Sequence, residues 1–244
     1  MKLKGIIFDI NGTLTDILTD EGYEEIFRAI SHFLTYRGVF LHRWEVRDAY
    51  SRIMDEQRKA GGEKYPEFDA VSVWREFLTR YLPKPKRGFK ASDPAPRFLA
   101  EMYRGISRFR LSLYPEVKAV LDGLRPHYKM AVVSDGQSAW AMPELKAVGL
   151  DGYFNPVIVS GDFGYRKPDR RLFHAALTGM GLTPEEVIFV GNDMYRDIYG
   201  AGRIGMKTVF FSSNQGGKEM AGVSPDYIIY RFDELRQAVD FLKE

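Results

Sequence analysis

Four places in this chain put a carboxylate, hydroxyl or ammonium just past a short apolar run. Asp9 follows Ile6-Ile7-Phe8, with Asn11-Gly12-Thr13 directly beyond it. Ser134-Asp135-Gly136 follows Met130-Ala131-Val132-Val133. Val157-Ile158-Val159 leads into Ser160-Gly161-Asp162 and then Arg166-Lys167-Pro168. Val187-Ile188-Phe189-Val190 leads into Gly191-Asn192-Asp193, with Asp197 a turn later. Carboxylates converging on one cleft repel one another unless a hard cation sits between them. Mg²⁺ takes such oxygen ligands together with water and substrate phosphate. A hydroxyl and an ammonium can hold the other phosphoryl oxygens, and an ionised Asp facing phosphorus can attack it to form an acyl phosphate. The pattern therefore points to transfer of an anionic group.

That chemistry requires the four places to meet. The apolar runs are short and rich in β-branched or aromatic residues, as buried parallel strands are. Helical patterns separate them over Glu116–Leu124, Ala139–Val148, Asp169–Met180 and Arg196–Ile204, with Gly149, Gly181 and Gly205 placed as C-caps. Tyr227–Tyr230 adds a late strand and Phe232–Leu242 a closing amphipathic helix. Alternation at this spacing predicts an α/β fold with a doubly wound, mostly parallel sheet, which presents its functional groups at the carboxyl ends of the strands. Between the first strand and the rest, helical periodicity dominates (Ile26, Ile30, Phe33, Leu34, then Trp74, Phe77, Leu78, Tyr81). The expected division is a core of residues 1–15 and 112–244 with a helical insert over 16–111.

Composition narrows the function classes. The 244 residues are 45% apolar and 28% charged, enough to bury a core and too apolar for a disordered chain. A net charge of +2 gives no overall field to recruit nucleic acid or an anionic membrane. There is no cysteine, which excludes disulfides, thiolate nucleophiles and Cys-ligated metal. No run approaches the roughly 18 apolar residues that span a bilayer, and the amino end lacks a signal-peptide pattern. The expectation is a cytoplasmic protein with no nucleic-acid or membrane partner, and a homo-oligomer is left open. His32, His42, His127 and His174 have no metal-ligand spacing, and the basic run Lys84, Lys86, Arg87, Lys90 reads as a solvated loop.

The stretches FDINGTLTD, VVSDG, YRKPD and VGNDMYRDIYGAGRIGMKTV resemble, in order and spacing, the four motifs of the haloacid dehalogenase superfamily. The resemblance covers residues 1–16 and about 115–212, and the helical insert matches the position of that family's cap. It implies a Rossmann-like core, a cap that closes over the strand ends, and a Mg²⁺-dependent phosphatase acting on a small phosphorylated substrate. Carried over by position, Asp9 is the nucleophile, and Asn11 offers its backbone carbonyl to the metal. Thr13 fixes the nucleophile loop, Ser134 with Asp135 and Gly136 meets the phosphoryl group, and Lys167 neutralises the charge on both. Asp193 and Asp197 complete the metal set, with Asn192 as an alternative ligand.

Two departures from the family pattern stand out. Family phosphatases carry an acid/base Asp two residues after the nucleophile, and here that position is Asn11. An amide has no proton to give, and general acid–base help is worth roughly 10²–10⁴-fold. In the fourth motif the usual first acid falls on Asn192, with Asp193 one place later. Dehalogenases also lack the second Asp, but they resemble a pattern with Tyr at position 11 and Asn at position 135. A dehalogenase-like hydrolase and a binding or regulatory protein with little turnover are the rival readings. Blander roles also exist: Ser134 as a helix cap, Lys167 as a loop charge, and Asp197 as a partner of a helix dipole.

Overall fold

Ile6, Ile7 and Phe8 have no solvent-accessible surface, so their strand has to lie inside a sheet covered on both faces. In the computed structural model, which describes residues 3–82 and 93–243, β1 (Gly5–Phe8) is central in a six-stranded parallel sheet. Its neighbours are β4 (Lys129–Ser134) and β6 (Val187–Gly191), with Phe8 opposite Val132 on one side and Val190 on the other. Outside them lie β5 (Val157–Val159), β7 (Lys207–Phe211) and β8 (Tyr227–Ile229), in the order β5-β4-β1-β6-β7-β8. This is the expected doubly wound α/β core.

Helices cover both faces. On one, α5 (Val117–Leu124) and α9 (Leu235–Leu242) pack against Ile6, Phe8, Val132 and Val190. On the other, α7 (Arg170–Met180) and the short α8 (Gly200–Gly202) pack against Ile7, Val133 and Phe189. The expected helix over Arg196–Ile204 forms differently. A π-helical turn occupies Met194–Tyr199 and runs into α8, with the Ile198 N–H donating to the Asp193 carbonyl at 3.2 Å.

The insert departs from β1 through β2 (Thr15–Thr19) and returns through β3 (Arg108–Leu113), an antiparallel ribbon that helical periodicity does not foretell. Between them stand α1 (Glu24–Tyr36), α2 (Arg43–Ala60), α3 (Ala70–Tyr81) and α4 (Ala95–Ser107). The basic run at 84–90 lies outside the described residues. Among the described residues no helix is long and apolar enough to cross a membrane.

The interior of this cap is aromatic: Tyr50 stacks on Trp74 at 4.7 Å and on Tyr103 at 5.1 Å. Tyr103 in turn stacks on Trp140, which belongs not to the cap but to α6 (Ser138–Ala147) of the core. The Trp140 indole donates to the Ala100 carbonyl at 2.8 Å, and Glu144 of α6 takes a two-pronged ion pair from Arg104 of α4. Two backbone bonds add to this, Arg166 N–H to the Tyr65 carbonyl and Glu67 N–H to the Gly164 carbonyl, both 2.9 Å. The cap therefore completes its hydrophobic interior with a core helix. Trp140→Ala is expected to cost about 3–5 kcal/mol, read as a lowered urea midpoint. A loss below about 1 kcal/mol would show that the cap does not lean on α6.

Candidate active site

The carboxyl ends of β1, β4 and β6 meet at one buried ammonium. Lys167 lies on the loop after β5, and its Nζ donates to Asp9 Oδ1 at 2.6 Å, to Asp197 Oδ1 at 2.6 Å and to the Val133 carbonyl at 3.1 Å. Its loop is held by Asp135, whose Oδ1 accepts from the Lys167 backbone N–H at 2.8 Å. Burial by itself would lower the pKa of the ammonium, but Asp197 and Asp9 outweigh it and hold Lys167 above its ordinary value. Burial, with Asp9 acting in the same sense, pushes the Asp197 carboxyl up, and Lys167 opposes them.

Asp9 is 5% exposed, and its second oxygen, Oδ2, accepts from the Thr13 hydroxyl at 3.2 Å. The same hydroxyl lies 3.1 Å from Asn192 Oδ1. The β1 loop can approach this closely because residue 12 is glycine at φ +87°; a Cβ there would meet Asn192 Nδ2 at 2.2 Å. Asn11 accepts from the Thr15 hydroxyl at 3.1 Å through its side-chain oxygen. Ser134, at the end of the neighbouring strand, is buried, and its hydroxyl makes no hydrogen bond to a described residue. Gly136 presents its N–H to the Ser160 hydroxyl at 2.9 Å rather than to the site.

The acids after Gly191 are deployed differently from the expected metal set. Asp197 is 1% exposed, and its Oδ2 accepts the N–H groups of Asn192 and Asp193, both at 3.0 Å, while Lys167 holds its Oδ1. The wide π turn carries Asp197 back against Gly191, where a Cβ would sit 2.4 Å from that of Asp197. Asp193 caps the same turn. Its Oδ1 accepts from Tyr195 N–H and Arg196 N–H, and its Oδ2 from the Arg196 guanidinium and Gly217 N–H. Burial would raise the Asp193 carboxyl, but these Arg196 and Gly217 donors bring it down to about 2. Both carboxylates thus carry protein donors on both oxygens; Asp197 meets Asp9 through Lys167 Nζ, and Asn192 meets it through the Thr13 hydroxyl.

Among the described residues no group of three or more His, Cys, Asp or Glu side chains is arranged to hold a metal ion. The oxygens that do converge are Asp9 Oδ2 and Asn192 Oδ1, on one hydroxyl, with the Asn11 peptide carbonyl in the same turn. One carboxylate, one amide oxygen and one peptide carbonyl suit Mg²⁺, which keeps several waters and needs only one or two carboxylates.

The cap adds residues that no strand-end pattern could signal. Glu67 is 6% exposed and accepts from Ser160 Oγ at 3.0 Å, and burial pushes its carboxyl up. Gln137 ties the two parts together, donating to the Phe68 carbonyl at 2.7 Å and accepting from Ala70 N–H at 2.8 Å. A cleft of about 580 Å³ opens between Tyr65 on the cap and Lys167 and Asp193 on the core, and a smaller cavity of about 260 Å³ reaches Asn11 and Asp135.

A family model described as haloacid dehalogenase-like hydrolase matches residues 3–205. A glyceraldehyde 3-phosphate phosphatase of Methanopyrus kandleri is 25% identical over 99% of this chain and 98% of its own length. A phosphoserine phosphatase of Thermus thermophilus is 32% identical over 59% of each chain. Among solved structures, a 2-haloacid dehalogenase from Pseudomonas syringae superposes with a TM-score of 0.67 at 22% identity, over 98% of this chain and 99% of that one.

The cap made by Asp193 has its own signature. A carboxylate with a lowered pKa contributes stability in full above its unfolded value near 3.8 and loses it as pH falls through about 2. Asp193→Asn is expected to cost about 1–3 kcal/mol at pH 7, with the gap to wild type closing between pH 4 and pH 2. Denaturant melts across that range check it, and a gap independent of pH would contradict the assignment.

Proposed function

From the premise that the chain belongs to the haloacid dehalogenase-like hydrolases, we propose that it is a Mg²⁺-dependent phosphatase that works through an aspartyl phosphate on Asp9. The observation that carries this reading is the ion pair between Asp9 and Lys167. A carboxylate at the end of the central strand is held by a buried ammonium on one oxygen, with its other oxygen turned toward Asn192. Two relatives along the chain are phosphatases of small phosphorylated metabolites by name. Asp9, the Asn11 carbonyl and Asn192 would hold the ion; Asp193 and Asp197 are occupied elsewhere. Bound there, Mg²⁺ supplies positive charge against the phosphoryl oxygens and offsets their repulsion from Asp9.

The chain's own residues do the following. Lys167 offsets the negative charge of Asp9 and of the entering phosphoryl group. The free hydroxyl of Ser134 donates to a phosphoryl oxygen. An Asp9 oxygen bonds to phosphorus as the ester P–O bond breaks, and the leaving oxygen takes its proton from water, because Asn11 has none to give. Water then attacks phosphorus, releasing phosphate and restoring Asp9. Without a side-chain acid and base at position 11, activated esters such as aryl phosphates turn over faster than alkyl ones.

Metal-dependent hydrolysis of p-nitrophenyl phosphate tests the reading, with Asp9→Asn expected to lower kcat by roughly 10³-fold or more. Equal rates for the two proteins would remove Asp9 as nucleophile. Asn11→Asp restores a titratable acid and is expected to raise kcat on alkyl phosphates by about 10²-fold; no gain would contradict the role given to position 11. The absence of that acid also favours one second reading, dehalogenation, for which halide release from a 2-haloacid is the assay.

A further inference from the structure

A separate hollow of about 550 Å³ opens between the carboxyl ends of β7 and β8 and the turn that leads into α5. Open α/β sheets bind their ligands along this edge. None of its lining residues borders the cavities at Lys167 and Asn11. One wall is the loop after β7, which runs on to Gly217, where the backbone N–H meets Asp193 at 3.0 Å.

The lining is aromatic. Tyr114 meets Phe211 edge-to-face at 5.1 Å, and Phe211 meets Phe232 in the same way at 5.7 Å. Phe211 and Phe232 are buried, and the Tyr114 hydroxyl donates to the Asn214 side chain. Tyr230 is 70% exposed, and its ring packs against no other ring and under no cation among the described residues. Charge is the second feature. Arg231 is the one basic side chain in the lining, and both prongs of its guanidinium go to Asp233, Nε at 3.0 Å and Nη2 at 2.5 Å. Asp233, and with it the field of Glu116, raises Arg231 above its ordinary value. Glu116 itself accepts no side-chain hydrogen bond and closes no ion pair with a described residue. Its backbone lies at φ +66°, and no other described residue except glycines has a positive φ. That conformation strains a residue with a side chain and persists where the surroundings impose it. A carboxylate without a bonded partner is therefore held at the edge of an aromatic pocket.

We propose that this pocket binds a small aromatic amine, with its ring against Tyr114 and Tyr230 and its ammonium at Glu116. Aromatic faces attract other rings and cations alike, and a hollow of about 550 Å³ has room for a ligand of this size. With Arg231 spent on Asp233, the charge left over in the lining is the negative charge of Glu116, which draws a cation and opposes an anion. The site stands independently of the phosphatase reading.

Isothermal titration of the full chain with tyramine, 4-ethylphenol and 3-(4-hydroxyphenyl)propionate compares a cation, a neutral molecule and an anion on the same ring. Tyramine is expected to bind about threefold to tenfold more tightly than 4-ethylphenol, and the propionate most weakly. Glu116→Gln is expected to bring tyramine to the affinity of 4-ethylphenol, and Tyr230→Ala to weaken the binding of both. Glu116→Gly removes the charge and suits the backbone conformation, so it is expected to abolish the preference for the amine without lowering the melting temperature, which separates recognition from folding. The site is overturned by the absence of saturable tyramine binding at millimolar concentration, by a preference for the neutral or the anionic ligand, or by equal affinities for all three. A tyramine affinity untouched by both Glu116→Gln and Tyr230→Ala places the amine elsewhere and overturns it as well.

Discussion

One ammonium group organises this molecule's chemistry. Lys167 Nζ lies between Asp9 and Asp197 at 2.6 Å from each, in a place with almost no solvent. A buried charge is costly unless it is paired and hydrogen-bonded, so every part that supplies a partner has to arrive in register. The end of β1 brings Asp9, the end of β4 brings the Val133 carbonyl, and the turn after β6 brings Asp197. Removing Lys167 would leave two carboxylates facing one another in the interior, so the arrangement depends on that one ammonium. The parallel sheet makes the meeting possible, because its three central strands deliver their carboxyl ends to a single edge.

The cap is bound into the same scheme. Its aromatic interior is closed by Trp140 of the core, and its 65–70 segment is hydrogen-bonded to the core loops that carry Gly136, Ser160 and Arg166. Cap and core thus share one packed boundary beside the catalytic strand ends, and side chains such as Arg58 and Glu67 reach the cleft because that boundary is fixed. Asp135 ties the end of β4 to the 166–167 segment: one oxygen accepts from the backbone of Lys167 and the other lies 3.5 Å from Arg166 Nε.

The core was plain in the sequence because fully buried strands leave an unambiguous mark. VIV at 157–159 and VIFV at 187–190 have no polar face, and each ends in the polar residues that an open parallel sheet presents. The β2–β3 ribbon was not legible, since the partners of Thr15–Thr19 lie some 90 residues away at 108–113 and its side chains are half exposed. In the fourth motif, the preference of a cation for carboxylates pointed to Asp193 and Asp197. In the fold the local preference of Asp for a helix start prevails at 193, and a π turn, invisible in residue types, swings Asp197 under Lys167. Asn192 is left linked to Asp9 through the Thr13 hydroxyl, in a space that only a glycine at position 12 leaves open. Arg58 and Glu67 gave no signal, because nothing in a helical segment announces which of its charges will face a cleft formed with another part of the chain.

The central claim is that Asp9, held by Lys167, forms the bond to phosphorus. The direct measurement is to mix the wild-type protein with Mg²⁺ and an aryl phosphate, quench in acid during the first turnovers, reduce with borohydride and map the modified residue by mass spectrometry. The account predicts modification at residue 9 alone, in a large fraction of the molecules, because position 11 has no base to hasten loss of the phosphoryl group. Modification at Ser134 or elsewhere, or steady turnover with residue 9 unmodified, would contradict it.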